Sequence, residues 1–539
     1  GLLGGVGIFI SFAAVWLLYA FLFSDRAPAA FPLMPLVLAG SGVFMLGLGD
    51  DLFDINPQYK LVGQVVISAV LVLFGFHISW FQSMTANYLV SILWLVGVTN
   101  AFNLLDNMDG LSAGVSIISA FFLVLWLLIQ PNGAAFDTHL IVILLIYIGS
   151  VLGFLIYNFH PAAIFMGDAG SLFIGFLLAG MIMAASPAAI ENGHTVFDQL
   201  SMVLMPVLIL FVPILDTAFV SFTRRMKDRS IFQGGLDHSS HRIVAIGFSE
   251  PKAVLILYLF AATSGLLALA IIPLNIYIST IIISIYLLFV LLFWIYLGNV
   301  DVYEAENSIS GLDSEVKRIA PAVNPYGKTL LNILFDLVLI TIGYYSAYVL
   351  RFEGDIGPNF DFFLLSLPIV YACQITCFYV FGFYQSIWWS SRIGDLVVYF
   401  KGVTAGTIAA ILVLLFVYRF QSFSRAVFVI YWGIMLILVT FSRTFFKMLD
   451  EGFNRRQLNG KPTLVYGAGV GGQLIAREIE NNRELGMCLK GFLDDDPKLK
   501  GKKIHGYPVL GGIDHLEALI RRYCIQEIII SFRTNGHEK

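Results

Sequence analysis

The chain has 539 residues, of which 58% are hydrophobic and 13% charged, and its mean hydropathy is +0.83. A soluble protein could not hide that much apolar surface in its cores, so the composition defines a polytopic membrane protein. The net charge of −4 gives no electrostatic reason for a nucleic-acid partner, and the basic residues count by position rather than by sum.

Apolar runs able to cross a bilayer, which takes roughly 20 residues each as helix, fall near 4–23, 32–48, 61–76, 88–104, 111–129, 138–157, 169–186, 199–222, 251–271 and 276–297. Residue 1 is Gly rather than Met, and GLLGGVGIFISF opens abruptly, so a further helix is expected to precede it; no signal peptide is visible. Consecutive spans return the chain to one face at every second loop. That rule puts the loops holding Asp50/Asp51, Asp106/Asp109, Asp168 and His238/His241 on a single face. The same face receives Lys60, Arg224, Arg225, Lys227, Arg229, Arg242, Lys252, Lys317, Arg318, Lys328, Arg392 and Lys401; the opposite face receives Arg26, Arg351, Arg419 and Arg425. By the positive-inside rule the acidic face is cytoplasmic.

A polar, charge-mixed linker covers 298–328 and separates a first membrane module (1–297) from four further runs near 329–350, 362–383, 402–419 and 425–446, within a second module at 329–447. The fold class is thus an all-α membrane protein of about fourteen helices, followed at 461–539 by a small cytoplasmic α/β domain, Rossmann-like in pattern. Cys373 and Cys377 lie at i, i+4 in an apolar run, and Cys488 and Cys524 in the polar tail, which suits reduced packing residues rather than a disulfide framework.

Acids at membrane-helix ends are individually ordinary, because the headgroup region solvates them. Their conjunction is not. Asp50 and Asp51 are adjacent, Asp106 and Asp109 are i, i+3 neighbours able to share a helical face, and Asp168 follows Gly167 at a turn. Carboxylates gathered on one face repel one another unless a cation neutralises them. A hard divalent ion, Mg²⁺ with Mn²⁺ as an alternative, takes one or two carboxylates plus phosphate oxygens. Lys60, Arg224, Arg225, Arg229, His238, His241 and Arg242 add cationic groups suited to phosphate, and the combination describes phosphoryl transfer. The His238/His241 spacing could also suggest zinc, but Ser and Arg neighbours without Cys disfavour it.

These residues resemble the polyprenyl-phosphate N-acetylhexosamine-1-phosphate transferases, through GDDLFDINPQYK, NAFNLLDNMDGL, NFHPAAIFMGDAGS, PILDT and GGLDHSSHR in the family's order, over roughly residues 1–297. The resemblance implies transfer of an N-acetylhexosamine 1-phosphate from a UDP-sugar to a polyprenyl phosphate in the bacterial plasma membrane, with release of UMP. It implies that one of Asp50 and Asp51 acts on the lipid phosphate as base, that Asp168 holds Mg²⁺ with Asn103 as second ligand, and that Lys60 contacts the pyrophosphate. Asp106, Asp109 and Asn158 would line the uracil pocket with Phe165 as the stacking ring, and His238, His241 and Arg242 would hold pyrophosphate and sugar. His-Ser-Ser-His-Arg in place of three consecutive histidines points to the O-antigen or teichoic-type branch.

In the last domain GAGVGG, with Gly467, Gly469 and Gly472, follows a strand and opens a helix, the context of a dinucleotide turn for NAD(P), with Asp494 placed for a ribose hydroxyl. Residues 320–539 resemble the N-terminal half of membrane-bound nucleotide-sugar 4,6-dehydratases, yet residues 461–539 contain no Tyr-x-x-x-Lys pair. The competing readings are a transporter and, for the C-terminal half, a nucleotide-sensing or dehydratase-related scaffold; a homo-oligomer is an open expectation for the partners.

Overall fold

The computed structural model describes the chain except residues 1–3, 24–32, 82, 130–134, 186–195, 227–234, 236, 272–273, 275, 299, 301–324, 385–392, 420–422, 455–460, 482–484, 505–506 and 532–539. Most of the 298–328 linker, together with Arg26, Lys227, Arg229, Lys317, Arg318 and Arg392, therefore lies outside the described residues. The chain forms two compact units, Gly1–Lys447 and Met448–Lys539.

The first unit is helical. Its first module contains α1 (Gly4–Phe23), α2 (Met34–Phe53), α3 (Pro57–Leu73), α4 (Met84–Leu105), α5 (Leu111–Ile129), α6 (Ala135–Asn158), α7 (Gly167–Ala185), α8 (Val196–Ile209), α9 (Phe211–Met226), α10 (Ser239–Ala245), α11 (Glu250–Ala270) and α12 (Ile276–Gly298). The start of α3 is written in Asn-Pro: the Asn56 side chain accepts from Gln58 N at 2.9 Å, and Pro57 needs no partner in the first turn. Among the described residues each apolar run of the sequence falls mainly on a helix, or on two at 199–222, but twelve described helices are long and apolar enough to cross a membrane, or thirteen if a bent pair is one span. The difference from fourteen has two causes. Helix α3 has 17 residues and carries Lys60 and Gln64, so its apolar part is short. The run near 199–222 is broken into α8 and α9, which meet at 81°. Pro213 has no N–H to give the Ile209 carbonyl, and Ser119 Oγ takes that place at 2.7 Å.

Helix α7 is the centre of this module, packed against α1, α2, α4, α5 and α6 and buried over most of its length. In a membrane such packing rests on close contact and hydrogen bonds more than on water exclusion. The second module comprises α13 (Pro325–Arg351), α14 (Phe360–Val380), α15 (Ile393–Tyr418) and α16 (Arg425–Asn454). Buried Arg443 donates from Nη2 to both oxygens of buried Asp336, each at 2.8 Å, tying α16 to α13. The modules meet where α12 packs on α13 and where the Phe289 and Phe445 rings sit edge to face, 5.5 Å apart.

The second unit contains a five-stranded sheet of β1 (Lys461–Tyr466), β2 (Met487–Leu493), β3 (Lys503–Ile504), β4 (Tyr507–Gly511) and β5 (Glu527–Ile530), in the order β3-β4-β2-β1-β5. All pairs are parallel except β3 with β4. Helices α17 (Val470–Asn481) and α18 (Leu516–Tyr523) accompany it. Val465, Ala476, Ile479, Leu489 and Phe492 form one core, and Leu464, Tyr466, Leu493 and Leu519 another, as a parallel sheet buried on both faces requires. Cys488 is buried, Cys524 exposed and Cys373 and Cys377 part-buried, all four as free thiols.

Candidate active site

The acids of the first module meet at helix ends. Asp50 closes α2: its backbone carbonyl accepts from Asp54 N, and its Oδ1 accepts from Ile55 N at 2.8 Å. Its Oδ2 accepts from Lys60 Nζ at 2.7 Å, and Lys60 also donates to Asp168 Oδ2. Asn103, near the end of α4, donates to the same Asp168 oxygen at 3.1 Å. Asp50, Lys60, Asn103 and Asp168, from four helices, thus form one cluster.

Asp51 is used differently. Its two carboxylate oxygens accept from Asp168 N and Ala169 N, both at 2.9 Å, so a side chain of α2 satisfies the first amides of α7. Gly167 has φ +69°, and a Cβ there would lie 2.7 Å from Asp51 Oδ2, so only glycine permits this approach.

The turn between α4 and α5 carries Asp106 and Asp109. Asp106 is part-buried, and its carboxyl is pushed up to about 7, first by burial and then by the charges of Asp168, Asp109 and Asp51. Asp109 Oδ2 faces His160 Nδ1 at 3.2 Å and accepts from Ala162 N at 3.0 Å. Asn158 is buried with both ends of its amide occupied: Oδ1 accepts from Gly110 N at 3.0 Å and Nδ2 donates to Ile164 O at 2.9 Å. It clips the 106–110 turn to the loop before α7. Phe165, in that loop, is 51% exposed.

The histidine segment joins the same region. Ser240 Oγ donates to Asn107 Oδ1 at 2.6 Å. His241 is held below the usual imidazole range, by burial and by the His238 charge. His238 Nδ1 lies 2.8 Å from Asp216 Oδ2. Arg242 is buried and donates to the backbone oxygens of Asp237, Leu297, Gly298 and Val300 at 2.8–3.2 Å, so it closes the end of α12. Arg224 donates to Asp237 at 3.0 Å. Sequence reasoning had not singled out Asp216, Asn107, His160, Glu250 or Tyr258. Tyr258 OH donates to Gly110 O at 2.5 Å, bracing the acidic turn from α11, and His160 lies 3.4 Å from Glu250.

Among the described residues no three His, Cys, Asp or Glu side chains converge as a metal cage. Mg²⁺ does not require one, because it takes one or two carboxylates and fills its shell with water and phosphate oxygens. Asp50 and Asp168 share a single lysine, and the charges of Asp168, Asp109 and Asp51 add to burial in raising Asp106, so the cluster carries negative charge that a cation would relieve. The donor set fits.

In the second unit, Gly467 has φ +104° and a Cβ on Gly472 would collide with Gly467 O, whereas Gly469 faces open space. Asp494 accepts from Ala468 N at 2.8 Å and from Asp496 N at 2.9 Å, so its carboxylate braces the glycine turn. The turn lies where the strand order reverses between β1 and β5.

These features define a multi-pass membrane protein with its polar site at the helix ends. A family model described as glycosyl transferase family 4 matches residues 33–186, and one described as a CoA-binding domain matches residues 379–538. The chain is 32% identical over 296 residues to a Bacillus subtilis (strain 168) protein named probable undecaprenyl-phosphate N-acetylglucosaminyl 1-phosphate transferase, covering 53% of this chain and 77% of that one. It is 34% identical over 247 residues to decaprenyl-phosphate N-acetylglucosaminephosphotransferase of Mycobacterium leprae (strain TN), covering 42% and 62%. With phospho-N-acetylmuramoyl-pentapeptide-transferase of Bacillus pumilus (strain SAFR-032) it shares 30% over 291 residues, covering 49% and 80%. The chain belongs to glycosyl transferase family 4 and is a glycosyl-1-phosphate transferase. For the C-terminal half, the match is to a CoA-binding domain and no dehydratase assignment follows.

Proposed function

We propose that the first module transfers an N-acetylhexosamine 1-phosphate from a UDP-sugar to a polyprenyl phosphate, leaving a lipid diphosphosugar and UMP. The observation that carries this reading is the Asp50–Lys60–Asp168–Asn103 cluster at the ends of four helices, joined through the 103–107 turn to the His238–Arg242 segment. A lipid phosphate is already a nucleophile, because its second pKa lies near 6. The protein's task is to bring two anions together in line. Lys60 and His238 are the groups available to donate to phosphate oxygens, while Asn158 and Asp109 hold the loop that carries Phe165. Asp168 with the Asn103 amide would hold Mg²⁺, which when bound supplies neutralisation of the phosphate charge. We read the acidic ends as cytoplasmic, on the charge bias of the loops.

Transport sites sit near the bilayer midplane on broken helices, whereas these acids lie at helix ends, so transfer is the better reading. In detergent micelles with undecaprenyl phosphate, Mg²⁺ and a panel of UDP-N-acetylhexosamines, UMP is expected in step with lipid-linked sugar. Substrate movement across a vesicle wall without UMP would overturn it. For the second unit, the glycine turn at the strand switch supports a nucleotide ligand, with NAD(P) as our candidate.

A further inference from the structure

Asp216 lies in PILDT, a stretch given no role above. It follows the break between α8 and α9, three residues beyond Pro213, and is 1% exposed. The carboxylate has three partners. Oδ1 accepts from Ser239 N at 2.9 Å and from Ser239 Oγ at 2.5 Å, and Oδ2 faces His238 Nδ1 at 2.8 Å. The two bonds from Ser239 fix the plane of the carboxylate, so its other oxygen is aimed at the imidazole. A carboxylate can only accept, so the proton between them belongs to Nδ1. Nε2 is then the ring nitrogen left for anything outside, as lone pair or as N–H. His238 is 5% exposed and immediately precedes α10, which reaches the acidic turn through Ser240 and Asn107.

We propose that Asp216 is a positioning residue of the transferase: it holds the His238 proton on Nδ1 and so presents Nε2 to the diphosphate of the sugar nucleotide. This rests on the reading that the His238 segment faces that diphosphate. The competing account is structural, with Asp216 merely satisfying Ser239 at the start of α10.

Two measurements decide between them. Nitrogen-15 NMR of histidine-labelled protein, with the His238→Gln spectrum subtracted, is expected to show a protonated Nδ1 at His238. A bare Nδ1 beside a protonated Nε2 would overturn the proposal, and this needs no substitution at Asp216. In turnover, Asp216→Asn is expected to lower kcat by about 10- to 100-fold, the usual cost of losing an orienting partner. In a His238→Gln background the same change is expected to cost less than about twofold, because coupled residues are not additive. Equal losses in both backgrounds would leave Asp216 with a packing role only and overturn the proposal. Ser239→Ala keeps the carboxylate–imidazole contact and is expected to stay within about fivefold of wild type, the scale of one hydrogen bond; a loss as deep as that of Asp216→Asn counts against the role. A wild-type protein that releases no UMP overturns the transferase reading and this role together, whereas UMP release with the wrong ring proton overturns the role alone.

Discussion

Asp51→Asn separates holding the site from touching the substrate. Both oxygens of Asp51 are occupied by the first amides of α7, at 2.9 Å each, and α7 carries Asp168 in its first turn. Asparagine keeps one acceptor and turns an NH₂ toward the other amide. The loss is one charge-assisted hydrogen bond, about 1.5–3 kcal/mol, together with a favourable charge at a helix N-terminus, about 0.3–1 kcal/mol, or about 2–4 kcal/mol in all. Helix α7 should then loosen at its first turn and Asp168 should leave the reach of Lys60. Thermal unfolding in detergent and UMP release, measured on the same preparation, are expected to fall together. A melting temperature equal to wild type with activity abolished would refute this reasoning and make Asp51 a substrate contact.

Three further outcomes follow from the same geometry. The Asp106 carboxyl is pushed up to about 7 from an ordinary value near 4. The fold therefore prefers its protonated form, and that contribution, full below about pH 4, is lost as pH climbs through about 7. Asp106→Asn should flatten the fall of melting temperature between about pH 4 and 7, and parallel curves would contradict the assignment. Arg242→Lys cannot reach the backbone oxygens of Asp237, Leu297, Gly298 and Val300 at once, and each buried carbonyl left unpaired costs about 1–3 kcal/mol. Faster proteolysis between α9 and α11 is expected; wild-type resistance would count against it. Gly472→Val should unfold the second unit, whereas Gly469→Val should leave its melting unchanged and abolish NAD⁺ binding in calorimetry. Binding unaffected by Gly469→Val would remove this turn as the dinucleotide site.

The sequence was informative where information is local. Runs of apolar residues located the helices, and alternation of faces gathered Asp50, Asp109 and Asp168 on one side of the membrane. The α3 start was legible in Asn56-Pro57. Long-range pairings were not legible. Asp51 meets Ala169 across 118 positions, so nothing near DDLFD reveals that its second acid serves α7 while its first serves Lys60. Arg242 read as a phosphate ligand because it is a cation on the acidic face, yet its reach to α12 depends on a helix more than 50 residues away. Asp216 sat in a quoted motif as a lone acid in an apolar helix, and only the partner 22 positions later gives it meaning. The 81° break had a signal in Pro206 and Pro213, but the spare carbonyl and its rescue by Ser119 are tertiary.

The central claim is that the cluster around Asp168 and Lys60 performs lipid-phosphate transfer. Its most direct test is UMP release from a UDP-N-acetylhexosamine by wild-type and Asp168→Asn protein, with and without undecaprenyl phosphate and across a Mg²⁺ titration. The account predicts release by wild type only when both lipid and Mg²⁺ are present, and a loss of at least about 100-fold in Asp168→Asn, the scale of removing a group that stabilises developing charge. Full activity in Asp168→Asn, or UMP release independent of the lipid, would contradict it.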